Sequence, residues 1–454
     1  MSKVIKLKKG FDINLAGKAA NKVAEAPRPD TYAVKPTDFV NVNRPKLLVN
    51  EGDTVKVGTP IFFDRMMEKV IFTAPASGEI VEIKRGEKRK LLEIKILGDQ
   101  EFVYESFTAH SASEIENIDR EKAIEQLLNS GLWPHIIQRP FGVIANPEDK
   151  PKAIFISGFD SHPLAADVNQ LIKGQQQNFQ AGVNILRKLT SGTVHLTINS
   201  NAEISPVYSN VQGVQVNKIS GKHPAGNVGV QIHHIDPINK GEVAWTVHPV
   251  AVAKIGQLFL EGKVDTSRLV ALAGSEVTEP QYYNFNTGGQ ISKLVEGKLK
   301  QEHVRYISGN VLTGRRLSKD GYLGYYDYTL TVLPEGDHHE FLGWIKPTGA
   351  KLSFHRAFGL LSFLSPNKER VLDTNTNGEE RAFVQTGTFE AVTPMDIYPT
   401  HLIKAVMAND FDEMEELGIL EVIEEDLALC EFVDVSKHDI QAILREGITT
   451  MLNS

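Results

Sequence analysis

The sequence predicts a multi-domain chain of mixed α/β and α+β class, and its length and the spacing of its apolar residues carry that reading. At 454 residues the chain exceeds what one hydrophobic core holds, since a domain takes roughly 150. Between Lys46 and Leu97 short alternating apolar runs are broken by EGD, VGTP, PASG and RGEK, a period-2 pattern with Gly/Pro breaks that predicts a small all-β unit. Further along, β-branched runs alternate with helical patterns over about 100 residues, which predicts an α/β layer with a parallel sheet.

The elements follow in order. The N-terminal MSKVIKLKKG is basic but has no apolar run behind it, and the polar, proline-bearing stretch from Thr31 to Pro45 reads as an arm or strand edge, not as core. Within the all-β unit, EGDTVKVGTPIF uses its glycines for tight turns, and Pro75 with Gly78 in TAPASGEIVEI turns the chain back into a strand. SASEIENIDREKAIEQLLNSGL has helical spacing and ends on Ser130-Gly131, a stop signal. After the proline-rich RPFGVIANPEDKP, KAIFISG reads as a strand buried on both faces. SHPLAADVNQLI and FQAGVNILRKLTSG read as helices, TVHLTI and VQGVQVNKIS as strands, and EVAWTVHPVAVAKIGQLFLEG as a strand running into a helix. From Ser267 to Pro334 the strand-like RLVALAG, HVRYISGNVL and YTLTVLPEG surround a short helix in TGGQISKLVEG, which suits a compact module of β-grasp type. The stretch from Asp337 to Asn377 reads as mixed and loop-rich, and beyond Pro394 the chain turns acidic and helical, as a terminal bundle.

Composition removes several function classes. A net charge of −8 with pI near 6.0 gives no electrostatic reason to bind nucleic acid. The one cysteine, Cys430, rules out an intrachain disulfide and any cysteine-rich zinc or iron–sulfur site held by this chain alone, and reads as a small buried hydrophobe. No window approaches the roughly 18 apolar residues that span a bilayer, so the chain is expected to be cytoplasmic and to serve any membrane process by docking on a partner.

Motifs are sparse. KAIFISGFDSHPL has no clustered glycines, so nothing there brings backbone against a pyrophosphate; Gly158 stands with Asp160 and His162 instead. HPAGNVGVQIHHIDP gathers His223, Gly226, His233, His234 and Asp236 in a stretch read first as a structural polar loop, and next as one lining a quinone-sized ligand or a contact between subunits. On a strand His233 and His234 would face opposite ways and could not share a metal. Asp337-His338-His339-Glu340 reads as a solvated loop. There is no nucleophile elbow and no HExxH, so no catalytic or metal residue is assigned.

The hairpin FFDRMMEKVIFTAPASGEIVEI resembles biotinyl- and lipoyl-carrier domains. In those carriers the modified lysine sits at a turn before the proline; here Met67 holds that position, and Lys69 lies later, on a strand flank. A barrel-sandwich scaffold without biotin or lipoate is therefore expected, with Met66 and Met67 as an apolar contact for a partner.

Taken in sequence, KLKKGFDINLAG, the carrier-like hairpin, GLWPHIIQRPFG, ISGFDSHPLAAD, HPAGNVGVQIHHIDP, LVALAGSEVTEP and ISGNVLTG resemble the NqrA family, the A subunits of sodium-translocating NADH:quinone reductases (Na+-NQR), over essentially the whole chain. That family is similar in turn to the C subunit of the Rnf complex and to the NADH-binding flavoprotein subunit of complex I. The resemblance implies a barrel-sandwich hybrid with an N-terminal arm (1–105), a Rossmann-like α/β domain (106–258), a β-grasp, SLBB-like domain (259–335) and a linker with a C-terminal helical bundle (336–454). Where the flavin-binding relatives carry a glycine-rich loop, Gly131 is followed here by Leu132 and Trp133, and where they carry a cysteine cluster only Cys430 stands. The family segment often reads GTHIH, whereas Gly229 to His233 lacks the first histidine. The resemblance thus implies a subunit without flavin or iron–sulfur centre, peripheral on the cytoplasmic side of the membrane. Its partners would be the other subunits of the complex, especially a membrane-embedded flavoprotein subunit, which carry the NADH site, the flavins and the iron–sulfur centres. Quinone is its possible substrate, with His223, Gly226, His233, His234, Asp236, Trp133, Met66 and Met67 as candidates for quinone or interface contact. Sodium export, NADH oxidation and quinone reduction would be activities of the complex, which this chain supports at the quinone step or serves only in assembly and docking.

Overall fold

The structure is a computed structural model that describes residues 2–343, 346, 348–355, 359–384 and 387–453. Parts of the stretch expected to be loop-rich, at 344, 345, 347 and 356–358, lie outside the described residues.

Among the described residues four sheets organise the chain. A three-stranded sheet (Pro45–Leu47, Pro60–Asp64, Met67–Thr73) packs against a four-stranded one (Thr31–Val34, Leu91–Gly98, Gly78–Arg85, Thr54–Val55). Alternation puts Ile94 and Ile96 on one face; Ile61, Phe62, Phe72 and Ile80 are buried as well, and the Phe62 and Phe72 rings stack at 4.4 Å. Asp64 closes the hairpin tip: its carboxylate accepts from the backbone N–H of Met66 at 2.7 Å and of Arg44 at 2.8 Å.

The α/β layer is a seven-stranded sheet in the order Val4–Lys6, Gln215–Ser220, Thr193–Asn199, Ala153–Ser157, Ala244–Val247, Ile136–Arg139, Val143–Ile144. Its first five strands are parallel and its last two pair antiparallel. The helices Gln176–Leu189 and Pro249–Glu261 cross closely, with Gly182 and Gly256 where their backbones approach. The grasp module is a six-stranded mixed sheet, Arg315–Leu317, Val304–Ser308, Thr329–Pro334, Ser267–Ala273, Gln281–Asn286, Ala20–Glu25, around the short helix Ser292–Val295. Helices Pro399–Ala408, Phe411–Glu416, Glu424–Val433 and Ile440–Asn453 form the acidic tail. They share a core with Leu7, Ile13, Leu15 and Val230.

Several local expectations are corrected. The N-terminal arm is an edge strand twice over: Val4–Lys6 extends the α/β sheet, and Ala20–Glu25 extends the grasp sheet. The stretch after Thr31 is core as well as edge, because Tyr32 is fully buried with its ring 5.5 Å from Phe102. The helix expected from Ser111 to Leu132 is two, Ala112–Asn117 behind a Ser111/Glu114 capping box and Arg120–Asn129, broken where Ile118 turns into the core. SHPLAADVNQLI shrinks to Val168–Leu171, since Leu164 sits at φ 59° and Asp167 caps only the last turn. Conversely the polar loop expected from His223 to Pro237 contains the helix Val228–Ile235.

Candidate functional site

In open α/β sheets, ligand sites form outside the carboxyl ends of the parallel strands. Here the loops that leave Ala153–Ser157 and Thr193–Asn199 border a cavity of about 530 Å³, closed by Asp12 and Asn14 from the N-terminal segment and by Glu369. Its chemistry gathers around Asp160. The carboxylate accepts from the backbone N–H of His162 at 2.8 Å and from His162 Nδ1 at 2.6 Å, which fixes the tautomer and aims Nε2 away from the pair. Ser161 Oγ accepts from Gly226 N–H at 2.8 Å, so its own proton goes to His223 Nδ1, 3.0 Å away, and His223 Nε2 carries the ring proton. The backbone N–H of His223 donates to Asp12 Oδ1 at 2.9 Å. A Cβ on Gly226 would stand 2.5 Å from Ser161 N, so only glycine allows this approach.

The two imidazoles lie 4.5 Å apart, both with a buried Nε2 that has no hydrogen-bond partner. Their environments separate them. Burial pulls His162 down, but Asp160 overrides it and holds the imidazole above its ordinary pKa. Burial, reinforced by the charge on His162, pushes His223 down to about 3. Side by side, an imidazole whose protonated form is favoured and one whose neutral form is favoured make an acid–base pair of the kind found at functional sites.

Behind them lies a buried ion cluster that joins the sheet to the tail. Arg139, 2 % exposed, donates from Nη1 to Asp426 Oδ2 at 2.8 Å and from Nη2 to Glu425 Oε1 at 2.7 Å. Asp426 also accepts from Ile423 N at 3.0 Å, capping its own helix. Burial raises Glu425 to about 7, against the pull of Arg139. Asn227 Nδ2 donates to Glu425 O at 2.7 Å, and Gly229 carries no Cβ because Asp426 occupies that space.

Of the residues nominated from the sequence, His223 and Gly226 belong to this site and the others lie elsewhere. On their helix His233 and His234 both dock on the tail, a correction of the strand reading. His233 Nδ1 lies 2.6 Å from Glu421 Oε2, its Nε2 accepts from Asp396 N at 3.0 Å, and His234 Nε2 donates to Pro394 O at 2.8 Å. Asp236 pairs with Lys152 at 2.9 Å. Trp133 is fully buried, donates to Ala145 O at 2.7 Å and meets Trp245 edge to face, so its side chain belongs to the core. Lys69 projects from its strand into an exposed ion pair with Glu148. Sequence reasoning noted Asp160 and His162 without nominating them and missed Arg139, Glu425 and Asp426, which read as part of the polar QRP turn and of the acidic tail.

Met66 is 72 % exposed, whereas Met67 is half-buried against the barrel-sandwich core. Met66→Ser should therefore leave the melting midpoint within the equivalent of about 0.5 kcal/mol, and Met67→Ser should cost roughly 1–2 kcal/mol. Thermal melts of both variants check the split, and equal losses would contradict it.

A barrel-sandwich unit, an α/β layer and a grasp module stitched together by one N-terminal segment, with an acid–base pair at the carboxyl edge of the parallel strands, define a multi-domain chain built from cofactor-type folds. Family models match in the same order: the NqrA N-terminal barrel-sandwich hybrid domain over residues 5–99, the NqrA second alpha/beta domain over 118–264, and the NQRA C-terminal domain over 269–319. Similar curated proteins include the A subunit of the Na(+)-translocating NADH-quinone reductase of Alcanivorax borkumensis, 38 % identical over 99 % of both chains. That of Yersinia pestis is 39 % identical over 98 % of this chain and 99 % of its own. Among solved structures, an NAD+-reducing [NiFe]-hydrogenase aligns over 78 % of this chain and 67 % of its own, with 9 % identity and a TM-score of 0.39. The chain belongs to the NqrA family, the A subunits of Na(+)-translocating NADH-quinone reductases.

Proposed function

We propose that the chain is a subunit of a membrane complex that oxidises NADH, reduces quinone to quinol and exports sodium ions, and that it supports the quinone-reduction step from the cytoplasmic side. The end-to-end identity with curated NqrA proteins carries this reading. No flavin, iron–sulfur centre, biotin or lipoate is assigned to the chain: Leu132 and the buried Trp133 fill the space after Gly131. Burial drives the Cys430 thiol up to about 12 against the Thr393 hydroxyl, the opposite of what a thiolate ligand needs. Electrons come from partner subunits, foremost a membrane-embedded flavoprotein. Reducing a quinone consumes protons as well as electrons, and this chain's contribution is to hold a proton on His162, beside a cavity that reaches solvent. Among the described residues no helix is long and apolar enough to cross a membrane, and this reading assigns the ion path to the partners.

A purely structural role is the second reading, favoured by the exposed apolar side chains of Phe341, Leu360, Phe363 and Leu364, of a kind suited to docking. A photoreactive quinone applied to the whole complex separates the two. Label within residues 158–169 or 199–208 supports the quinone role, and label confined to other subunits leaves this chain as scaffold.

A further inference from the structure

We infer that the cleft between the α/β layer and the grasp sheet binds a small organic oxyanion, a phosphate ester or carboxylate, through Arg268 and Lys254. The cleft has a volume of about 720 Å³, within the roughly 300–1,000 Å³ of small-molecule sites. The strands Ala20–Glu25, Ser267–Ala273 and Gln281–Asn286 form one wall and the helix Pro249–Glu261 the other. The short helix Val168–Leu171 separates it from the cavity at Asp160.

Unbalanced positive charge defines this cleft. Arg268 is 5 % exposed; its Nη1 donates to Gly324 O at 3.0 Å and to Tyr325 O at 3.1 Å, while Nε and Nη2 have no partner and are covered from solvent, so the guanidinium acts on the cleft through its charge. A guanidinium cannot shed its proton to relieve that state. Lys254, on the facing helix, makes no hydrogen bond, and among the described residues no carboxylate comes within ion-pair distance of Lys254 or Arg268. The carboxylate of Asp265 accepts from Ser267 N–H at 2.9 Å and offsets Lys254 in part, as Asp327 and Asp38 offset Arg268, but none of them forms an ion pair with either cation. Burial lowers Lys254 to about 8, as expected of an ammonium that lacks its counter-charge. The 14-residue helix Gln176–Leu189 begins at the cleft with Gln175, whose side chain does not cap it, so its free N–H groups add partial positive charge. An oxyanion would answer all of these groups together. Val23, Leu171, Val250, Leu269 and Phe285 make part of the wall apolar, among polar side chains that include Glu25, Gln170, Gln257 and Asn284, which leaves a place for an organic body beside the charged group.

The test uses the full chain at constant ionic strength, titrated with inorganic phosphate in one arm and acetate in the other. Lysine acetylation by an N-hydroxysuccinimide ester is mapped by peptide mass spectrometry. Phosphate or acetate is expected to slow acetylation of Lys254 at least threefold while the exposed Lys88 reacts as before, and to raise the melting midpoint. Lys254→Gln should then raise the half-saturating concentration at least tenfold. This variant is decisive because Lys254 holds no hydrogen bond to lose, whereas Arg268→Gln also frees the Gly324–Tyr325 turn. Unprotected Lys254 in both arms, or an unchanged half-saturation in Lys254→Gln, overturns the site.

Discussion

Acidification from pH 7 to pH 5 should lower the melting midpoint of the α/β layer steeply, because its buried histidines serve as neutral hydrogen-bond acceptors. His195 Nδ1 accepts from Asn217 Nδ2 at 3.3 Å and its ring stacks on Phe155 at 4.8 Å; His223 Nδ1 accepts from Ser161. Burial pushes His195 down to about 4 and His223 down to about 3, against 6.5 in the unfolded chain. A depressed folded pKa contributes stability that is present above 6.5 and lost as the pH falls toward the folded value. At pH 5 each of these two histidines therefore withdraws about 2 kcal/mol. The half-buried His135 and His248, lowered to about 3 and about 4 by burial, work in the same direction but less strongly, through Tyr325 and the cap of the helix at Val250. Glu425 and His162 run the other way. The folded pKa of each lies above its ordinary value, so their share is full at low pH and lost as the pH rises through the folded value, which offsets part of the loss at pH 5. His195→Asn keeps an acceptor but does not titrate, so the pH 7 to pH 5 drop should shrink by the equivalent of about 2 kcal/mol. Thermal melts across this range check it, and a drop of the same size in the variant would show that His195 is not the proton-binding group.

This acid sensitivity also marks what was legible in the sequence. The strand runs KAIFISG and TVHLTI were readable because apolar periodicity is local, and so was the barrel-sandwich, whose turns are set by glycine and proline. That His195 would be buried in the sheet was not, since a polar residue in an apolar run gives no sign of which partner waits across the register. The N-terminal arm escaped for a related reason. Val4–Lys6 and Ala20–Glu25 are short, exposed on their own, and become strands only because two distant sheets offer them an edge. The site was half readable. His223 and Gly226 stood out by composition, but their work depends on Ser161, Asp12 and Asp160, which sequence separation hides. His233 and His234 stood out equally and proved to be latches on the tail, because a helix replaced the expected loop.

Arg139 should be the most sensitive position in the joint between the α/β layer and the helical tail. Its guanidinium neutralises Asp426, whose side chain is fully buried, and pairs with Glu425, which is only partly covered. Removing one member of a buried pair leaves the other charge uncompensated, at a cost of roughly 3–5 kcal/mol, whereas exposed pairs such as Lys69–Glu148 contribute little. Arg139→Met keeps most of the side-chain volume and isolates the electrostatic loss. Asp426 would still cap its helix through Ile423 N–H, so the helix Glu424–Val433 should stay formed while its docking on the sheet loosens. Amide exchange should accordingly quicken in Glu424–Val433 and Ile440–Asn453, which share a core, and not in the barrel-sandwich strands. The double variant Arg139→Met, Asp426→Asn removes the orphaned charge and retains an acceptor for the cap, so it should recover a large part of the loss. If the double variant is instead as unstable as Arg139→Met alone, the joint is held by apolar packing around Leu427 and Ile440, and the ion cluster only fixes its orientation.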